Sequence, residues 1–534
     1  MSAGESWSVW IKDFFSGLYM INKEPWRSLW IKRFLQYLLL FDIVSISGII
    51  LFWIFNLFST NINNALYFLS AMVQAQSAII ALVVTLTLVA IQMGTASYTP
   101  RVVDVMKKNP DMWYLLIIYI SAISFGFFAL KNVTEPDFFL VSSVLILGIF
   151  TFFALFLYLK NTITLLRPDI VVSILVDEIN YENLKDTIAF ARQSSKAWVS
   201  DNSDVSDIVT QKNRKEDIFQ PVFDVIHASI MRYDVTTTRT GLNGVSCKII
   251  ELLDRYTTEE QDKITPYFCD HIHRSAIVAL NKDDEGILVE IIFVLKNFGT
   301  SCCKYPDRGV VGPVINTLEL IGISAAEKGF NEAVEQVAGA LESILDSNLE
   351  KNEDEKFGPI TWGIINTLGN IGIRATRKGS NLESASMLIA CILGQISIHV
   401  AEGGKKIESE NSWVSMNLRE MGILAIDLNL RNLTNQVIDA FERFGRCVIE
   451  KEQKKMISNI TKDLETLCIH AAEHKTRDEN TIKYIIMLLC EIGSKEAGQE
   501  IAHTCLENLE FKYEEIVTIG MKEFESRKNS CSER

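Results

Sequence analysis

The chain lacks the motifs that carry most enzyme chemistry. It has no glycine-rich phosphate-binding loop, no Gly-x-Ser-x-Gly, no His-Glu-x-x-His and no acidic loop with calcium-site spacing. The strand-like alternation of apolar and polar residues is also missing between residues 210 and 520. These absences predict an all-α protein that is not an enzyme and needs no cofactor.

Cysteine is missing from the first 246 residues, and all ten cysteines lie between Cys247 and Cys531. In a cytoplasmic domain they are expected to be reduced thiols. Two short segments each hold three metal-capable side chains, but zinc sites need four ligands, or three and a water, and neither spacing matches a zinc pattern. No metal is therefore expected at either set: Cys269, His271 and His273, or Cys468, His470 and His474.

Charge is nearly missing from four apolar stretches, at 34–57, 66–93, 113–130 and 138–159. Each is long enough to cross a hydrocarbon core of about 30 Å at roughly 1.5 Å per helical residue. They predict a four-helix transmembrane domain at 34–160. Asp42 is the charged exception, and it either sits at the interface, which is the favoured interpretation, or pairs with a neighbour.

Lysine and arginine are scarce in the first and third loops between these spans but frequent in the segments on the other side. By the positive-inside rule this pattern predicts a multi-pass protein of the cell membrane with both termini in the cytoplasm. The first span is not a cleavable signal, because it begins after 33 residues and lacks a small-residue cleavage site.

The segment 1–33 has apolar residues at three- and four-residue spacing, including Trp7, Trp10 and Phe14. This pattern predicts an amphipathic helix. Such a helix either lies on the inner leaflet, with these aromatic side chains as interfacial anchors, or packs on the protein's own cytoplasmic domain. A hydrophobic face alone does not distinguish the two.

Acidic residues dominate the part of the chain beyond the apolar stretches. The whole chain has a net charge of −14. Residues 1–167 hold eleven Lys and Arg against eight Asp and Glu, which leaves −17 for the other 367 residues. This balance disfavours nucleic acid and anionic lipid as partners of the acidic part.

The acidic part contains an internal repeat of fifty residues. The run NTLELIGI at 316–323 recurs as NTLGNIGI at 366–373, and a third copy, NLREMGI, occupies 417–423. Gly299, Gly394 and Gly445 each lie 22 or 23 residues from the nearest repeated glycine. Two such elements per repeat predict helical hairpins stacked into an α-solenoid, in which glycines let helices approach closely. We expect this cytoplasmic helical-repeat domain at 216–525, after a helical linker at 161–215 that Pro168 bends or restarts.

The second span carries a stripe of small and polar residues that lipid alone would not favour. Its members follow a 4-3-4-4-3-4 spacing, which places them on one helical face. Leu88 is the large apolar residue among them. The stripe consists of Ser70, Gln74, Ser77, Ala81, Thr85, Leu88 and Gln92.

Two interpretations account for the stripe. In the first, the stripe stabilises helix packing: its small residues allow neighbouring helices to approach closely, and Gln74 and Gln92 form hydrogen bonds across the bundle. In the second, copies from several subunits surround an axis, and the stripe lines a hydrated path whose narrowest ring is Leu88. A single four-helix subunit has little room for its own pore, so the second interpretation requires a homo-oligomer.

The run SAIIALVVTLTLVAIQ at 77–92, followed by YTPR at 98–101, resembles the signature of an uncharacterised prokaryotic family of predicted four-span membrane proteins. In that family a similar Ser/Thr-bearing helix ends in Leu-Gln, and Ser-Pro-Arg follows several residues later. The resemblance covers residues 66–110 and implies four spans but no established activity. Beyond the membrane part, this sequence carries the repeat in place of the family's Ser-Pro-Gly-Ile-Asn-Asp-Pro-like stretch. Arg101 is expected to act as a positive-inside anchor.

Two functions from different classes follow from these features. The first is a homo-oligomeric ion channel or channel-like pore, lined by the second span, with the repeat domain supporting or gating it and the N-terminal helix placed to sense bilayer tension. The second is a membrane-anchored scaffold whose repeat domain binds a cytoplasmic protein on its extended surface.

Overall fold

The computed structural model describes residues 24–55, 62–97, 110–132, 138–165, 167–185, 217–305, 308–351, 358–402, 408–474, 479–494 and 499–532. The chain divides into two compact units, which we call the bundle unit and the repeat unit. The bundle unit is Met1–Leu184 with Asp207–Ala228, and the repeat unit is Lys185–Ser206 with Ser229–Arg534. All regular elements of the described residues are helices, which confirms the all-α prediction.

Four long apolar helices begin the bundle unit. They are α1 Glu24–Phe55, α2 Ile62–Ser97, α3 Pro110–Asn132 and α4 Phe138–Leu165. Each coincides with one predicted span and extends past it at one or both ends. The first ten residues of α1 belong to the segment predicted as an N-terminal interfacial helix, so this part of the segment continues directly into the first span.

The bundle is organised around α3 and α4, because each of them packs against α1, against α2 and against the other. Two apolar clusters fill the interior between the helices. The first consists of Tyr37, Val83, Leu115, Tyr119, Ala154 and Tyr158, and the second of Ala65, Leu69, Ala129, Val141 and Val144. The interior of the bundle is therefore lined by packed apolar side chains.

Six helices among the described residues are long and apolar enough to cross a membrane by length and composition. Four of these segments lie in α1 to α4, at Trp30–Ile50, Ile62–Val89, Pro110–Asn132 and Phe139–Thr164. The other two, Gly309–Lys328 and Gly379–Ala401, lie in the repeat unit, where 56% and 61% of the apolar window is buried, against at most 39% in the bundle. Neighbouring helices therefore account for the apolar composition of the last two.

Pro168 starts a new helix, α5 Pro168–Asp177, after α4 has ended at Leu165. Proline fits the first turn of a helix because the N–H that it lacks would have no partner within the helix there. This arrangement confirms the predicted restart at Pro168.

The repeat unit is a series of consecutive helices. Helix α6 Gln220–Met231 crosses the division between the two units. The following helices are α7 Val235–Leu253, α8 Thr258–Asn281, α9 Glu285–Cys302, α10 Arg308–Lys328, α11 Asn331–Lys351, α12 Pro359–Thr376, α13 Glu383–Glu402, α14 Glu408–Asp427, α15 Arg431–Glu450, α16 Lys454–Glu473, α17 Glu479–Gly493 and α18 Gln499–Ser532.

These helices form two layers. From α8 to α17, each helix packs against its hairpin partner and against the helix two positions along the chain. One layer contains α8, α10, α12, α14 and α16, and the other contains α7, α9, α11, α13, α15 and α17. The turn inside four successive hairpins holds a residue with positive φ, at Asp283, Gly329, Gly379 and Asn429. Stacked hairpins of this kind confirm the predicted helical repeat.

The repeated glycines lie where helices of successive hairpins meet. A Cβ atom on Gly372 of α12 would lie 2.6 Å from Met421 Sδ of α14 and 2.9 Å from Ile389 Cγ2 of α13. A Cβ atom on Gly322 of α10 would lie 2.5 Å from Ile371 Cδ1 of α12. A side chain at either position would require these Met and Ile side chains to move, and these short distances confirm the close approach predicted from the repeat.

Candidate functional site

Helix α2 packs against the bundle along one narrow seam. Ala65, Leu69, Val73, Gln76 and Val83 are buried on this seam, whereas most other side chains of α2 are exposed. The stripe lies beside the seam, because Ser70, Gln74 and Ser77 each follow a seam position by one residue, a rotation of about 100° around the helix. Ser70 is half-buried, and Gln74, Ser77, Ala81, Thr85, Leu88 and Gln92 are exposed. The stripe therefore faces outward from the four-helix bundle.

The hydroxyl groups of the stripe donate to their own helix. Ser77 donates to the carbonyl of Val73 at 2.8 Å, and Thr85 to the carbonyl of Ala81 at 2.9 Å. Gln74 Nε2 donates to Ser70 Oγ at 3.4 Å, so its described hydrogen bond lies within α2 rather than across the bundle. The hydroxyl oxygens and the Gln74 amide remain on an exposed surface, where water or another protein surface can bond them.

Gln76 is the glutamine of α2 that lies inside the bundle, and the sequence interpretation missed it. Its side chain is 4% exposed, and Nε2 lies beside Gly148 of α4. Neither its Oε1 nor its Nε2 has a hydrogen-bond partner among the described residues. The sequence signal for Gln76 is that it is a third glutamine of the span, two residues from Gln74, and that it lies on the seam rather than on the stripe.

A second missed group joins three helices at the end of the bundle where α1 and α3 begin. Asp111 is fully buried in the first turn of α3. Its carboxylate lies 3.3 Å from Arg33 Nε of α1 and accepts a hydrogen bond of 3.1 Å from Asn161 Nδ2 of α4. A buried carboxylate with a cationic partner and an amide donor fixes these helix ends relative to one another. Arg33 was counted in the sequence only as a flanking positive charge.

Asp42 lies twelve residues inside the Trp30–Ile50 segment, near the middle of that segment. It is exposed on the side of α1 away from the buried Val44. Among the described residues it has no ion-pair partner. An exposed carboxylate at this depth indicates that α1 also presents a face needing water or a protein neighbour.

The histidine and cysteine sets of the repeat unit are ordinary helix residues in this fold. Cys269 and Cys468 are buried, and burial raises the pKa of each thiol to about 12. His273 is half-buried, and burial lowers its pKa. His470 Nε2 lies 2.7 Å from Asp427 Oδ1. The part of the chain that the structure describes contains no group of three His, Cys, Asp or Glu placed to hold a metal ion.

All four predicted interfacial anchors lie outside the described residues. Trp7, Trp10 and Phe14 belong to residues 1–23, and Arg101 belongs to residues 98–109. Their interfacial role stays a prediction.

Comparisons with known proteins address the membrane part and the repeat separately. No curated protein matches the chain. A solved structure titled "Circular tandem repeat protein with novel repeat topology and enhanced subunit contact surfaces" aligns with 78% of this chain and 98% of its own, at 11% identity and a TM-score of 0.36. Residues 28–223 match the family described as "Predicted membrane protein (DUF2254)", so the resemblance to an uncharacterised family of membrane proteins is confirmed.

Proposed function

We propose that this membrane protein assembles as a homo-oligomeric pore in which α2 of each subunit lines the path. The single observation that carries the proposal is the outward orientation of the stripe. Gln74, Ser77 and Thr85 are exposed on a helix that is apolar enough to span a membrane. Lipid offers these groups no hydrogen bonds, whereas water around a common axis does.

The packing inside one subunit supports an oligomer. The two apolar clusters lie between the four helices of one bundle, so the path that this proposal requires lies between subunits. The stripe carries no formal charge, which favours a path for small hydrated solutes or ions with weak charge selectivity. Leu88 would form an apolar constriction, since it is the large apolar side chain of the stripe and is 55% exposed.

The proposal is tested by recording from purified protein in planar bilayers, with and without Gln74→Cys. A charged thiol reagent added to the Gln74→Cys protein is expected to reduce the current, because a charged adduct would occupy the path. The unsubstituted protein controls for the native cysteines, and Leu86→Cys provides an exposed residue of α2 outside the stripe. The absence of current from a folded oligomer would contradict pore lining by the stripe. An equal reduction of the current in Leu86→Cys and Gln74→Cys by the reagent would contradict it too.

Both termini are proposed to lie in the cytoplasm, on the basis of the positive charges that flank the spans. Cys247 is an exposed native reporter for the side on which the repeat unit lies. In intact cells it is expected to resist a membrane-impermeant thiol reagent and to react once the cells are opened. Labelling in intact cells would reverse the proposed orientation.

The repeat unit favours a second candidate, a scaffold that binds a cytoplasmic protein. Trp413 of α14 is 39% exposed and meets Trp362 of α12 edge to face at 6.4 Å between ring centroids. Exposed aromatic side chains are enriched where proteins bind one another. A partner that binds the full chain but not a Trp413→Ala variant would support this function, whereas equal binding to both would place the contact elsewhere.

A further inference from the structure

An apolar cavity of about 180 Å³ lies between α2, α3 and α4 in the bundle unit. Its inner wall is made by Val83, Leu115 and Tyr158, which are all buried. Its outer wall includes the exposed Val84 and Leu88 of α2 and the half-buried Leu116 of α3. The cavity is therefore bounded on its outer side by residues on the surface of the bundle.

The two hydroxyl groups in the wall bond each other and so offer no free donor to a ligand. Thr87 donates to the carbonyl of Val83 at 2.7 Å, and the Tyr158 hydroxyl therefore donates to Thr87 Oγ1. The other side chains in the wall are aliphatic or Met. The wall therefore favours an apolar ligand, because it is almost entirely apolar, has no free side-chain donor and has only two hydroxyl oxygens as acceptors.

The position of the cavity identifies the apolar ligand that is available. Val84, Leu88 and Leu116 all lie within the segments that are apolar enough to span a membrane, and the neighbouring exposed side chains Ile117 and Ile120 are apolar too. At that depth the liquid outside the faces that do not line the proposed path is lipid hydrocarbon, and Leu116 of α3 lies on such a face. Roughly 150 Å³ of cavity lined by similar residues stays dry and binds a molecule the size of benzene, so this volume suits a segment of acyl chain.

We propose that the cavity binds an acyl-chain segment of a bilayer lipid, and that its occupancy fixes the position of Leu88. Leu88 belongs to both the cavity wall and the stripe, so an occupant contacts the residue proposed as the apolar constriction. This second step rests on the proposed pore, whereas the lipid site stands on the cavity alone.

The lipid site is tested by photolabelling the full chain in phosphatidylcholine vesicles that contain a diazirine on the acyl chain, followed by mass spectrometry of the adducts. Adducts at Val84, Met112 and Leu116 are expected to exceed those at the exposed Ile117 and Ile120 several-fold. Equal labelling of cavity and surface would overturn the site. Labelling of Ile117 and Ile120 alone would show that lipid does not enter the cavity and would also overturn it.

Filling the cavity gives the matched comparison. Leu116→Trp is expected to reduce adducts at Val84 and Met112 several-fold, whereas Ile117→Trp, one residue along α3 and outside the cavity wall, is expected to leave them unchanged. Ile80→Phe fills the cavity from α2 and repeats the test if Leu116→Trp does not fold. Adducts at Val84 and Met112 that persist in a folded cavity-filling variant would overturn the site.

The coupling step has a separate readout. In bilayers, Leu116→Trp is expected to change the current while Ile117→Trp leaves it unchanged. Loss of labelling with an unchanged current would overturn the coupling but support the lipid site. Specific labelling in a protein that gives no current would support the lipid site and count against the pore, so the two proposals fail in different ways.

Discussion

At the scale of single residues, Gln76 tests what a buried amide contributes to the bundle. It has no described hydrogen-bond partner and is 4% exposed, so folding removes its amide from water without replacing those bonds. Gln76→Met keeps the length of the side chain and removes the amide, and should leave stability unchanged or raise it by up to about 1–3 kcal/mol. Thermal unfolding in detergent measures this. Gln74→Met is the control, since Gln74 is exposed and should change the current rather than the unfolding temperature. A lower unfolding temperature for Gln76→Met would show that the amide is bonded in the folded protein.

Thiol reactivity in the repeat unit is also decided residue by residue. Burial raises the pKa of Cys269 to about 12, so at pH 8 only about one thiol in ten thousand is the reactive thiolate. Cys247 is exposed. Iodoacetamide at pH 8 should therefore modify Cys247 well before Cys269, and the Cys269 rate should rise on unfolding. Mass spectrometry of the two peptides over time measures the rates, and similar rates in the folded protein would contradict the burial of Cys269.

Between elements, glycine positions decide how closely the helices of the repeat can pack. A Cβ on Gly394 of α13 would lie 2.9 Å from Ala440 Cβ and 3.3 Å from Ala440 Cα of α15. Ala440 has no flexible side chain to move away, so Gly394→Ala should separate the helices and cost about 1–3 kcal/mol by overpacking. Gly339 of α11 has nothing within 4 Å of its Cβ position, and Gly339→Ala should instead stabilise its helix by up to about 1 kcal/mol.

The matched pair is measured by thermal or denaturant unfolding of the full chain. Adding Ala440→Gly to Gly394→Ala should restore much of the lost stability, because it removes the atom that clashes. A Gly394→Ala protein as stable as Gly339→Ala would show that α13 and α15 are not held at this distance.

These elements also show what the sequence could predict and what it could not. The spans and the repeat follow from local composition and from spacing along the chain, so α1 to α4 and the register of Gly322 and Gly372 were predictable. Which face of α2 is covered depends on α3 and α4, so periodicity places Gln74 and Gln76 on different faces but does not say which of them is buried. The Arg33–Asp111 pair joins residues far apart in the chain, and nothing local signals it.

Across the whole repeat unit, stability should depend on how many neighbours each hairpin has. An inner hairpin packs against hairpins on both sides, whereas α17 and α18 end the stack, and α18 is kinked at Tyr513. In a stack held by neighbour contacts, a local defect weakens mainly the adjacent hairpins. Hydrogen exchange should therefore be slowest in α12 to α15 and become faster toward α18.

Substitutions of two fully buried leucines, in different parts of the stack, test whether a defect weakens mainly the adjacent hairpins. Leu464→Ala in α16 and Leu318→Ala in α10 each remove a side chain that is 0% exposed, and each should cost about 2–5 kcal/mol locally. Leu464→Ala should speed exchange in α14 to α18 and leave α8 unchanged, whereas Leu318→Ala should speed it in α8 to α13 and leave α18 unchanged. Peptide-resolved exchange by mass spectrometry measures both. If either substitution accelerated exchange evenly from α8 to α18, the unit would unfold as one cooperative body, and neighbour contacts would not set its stability.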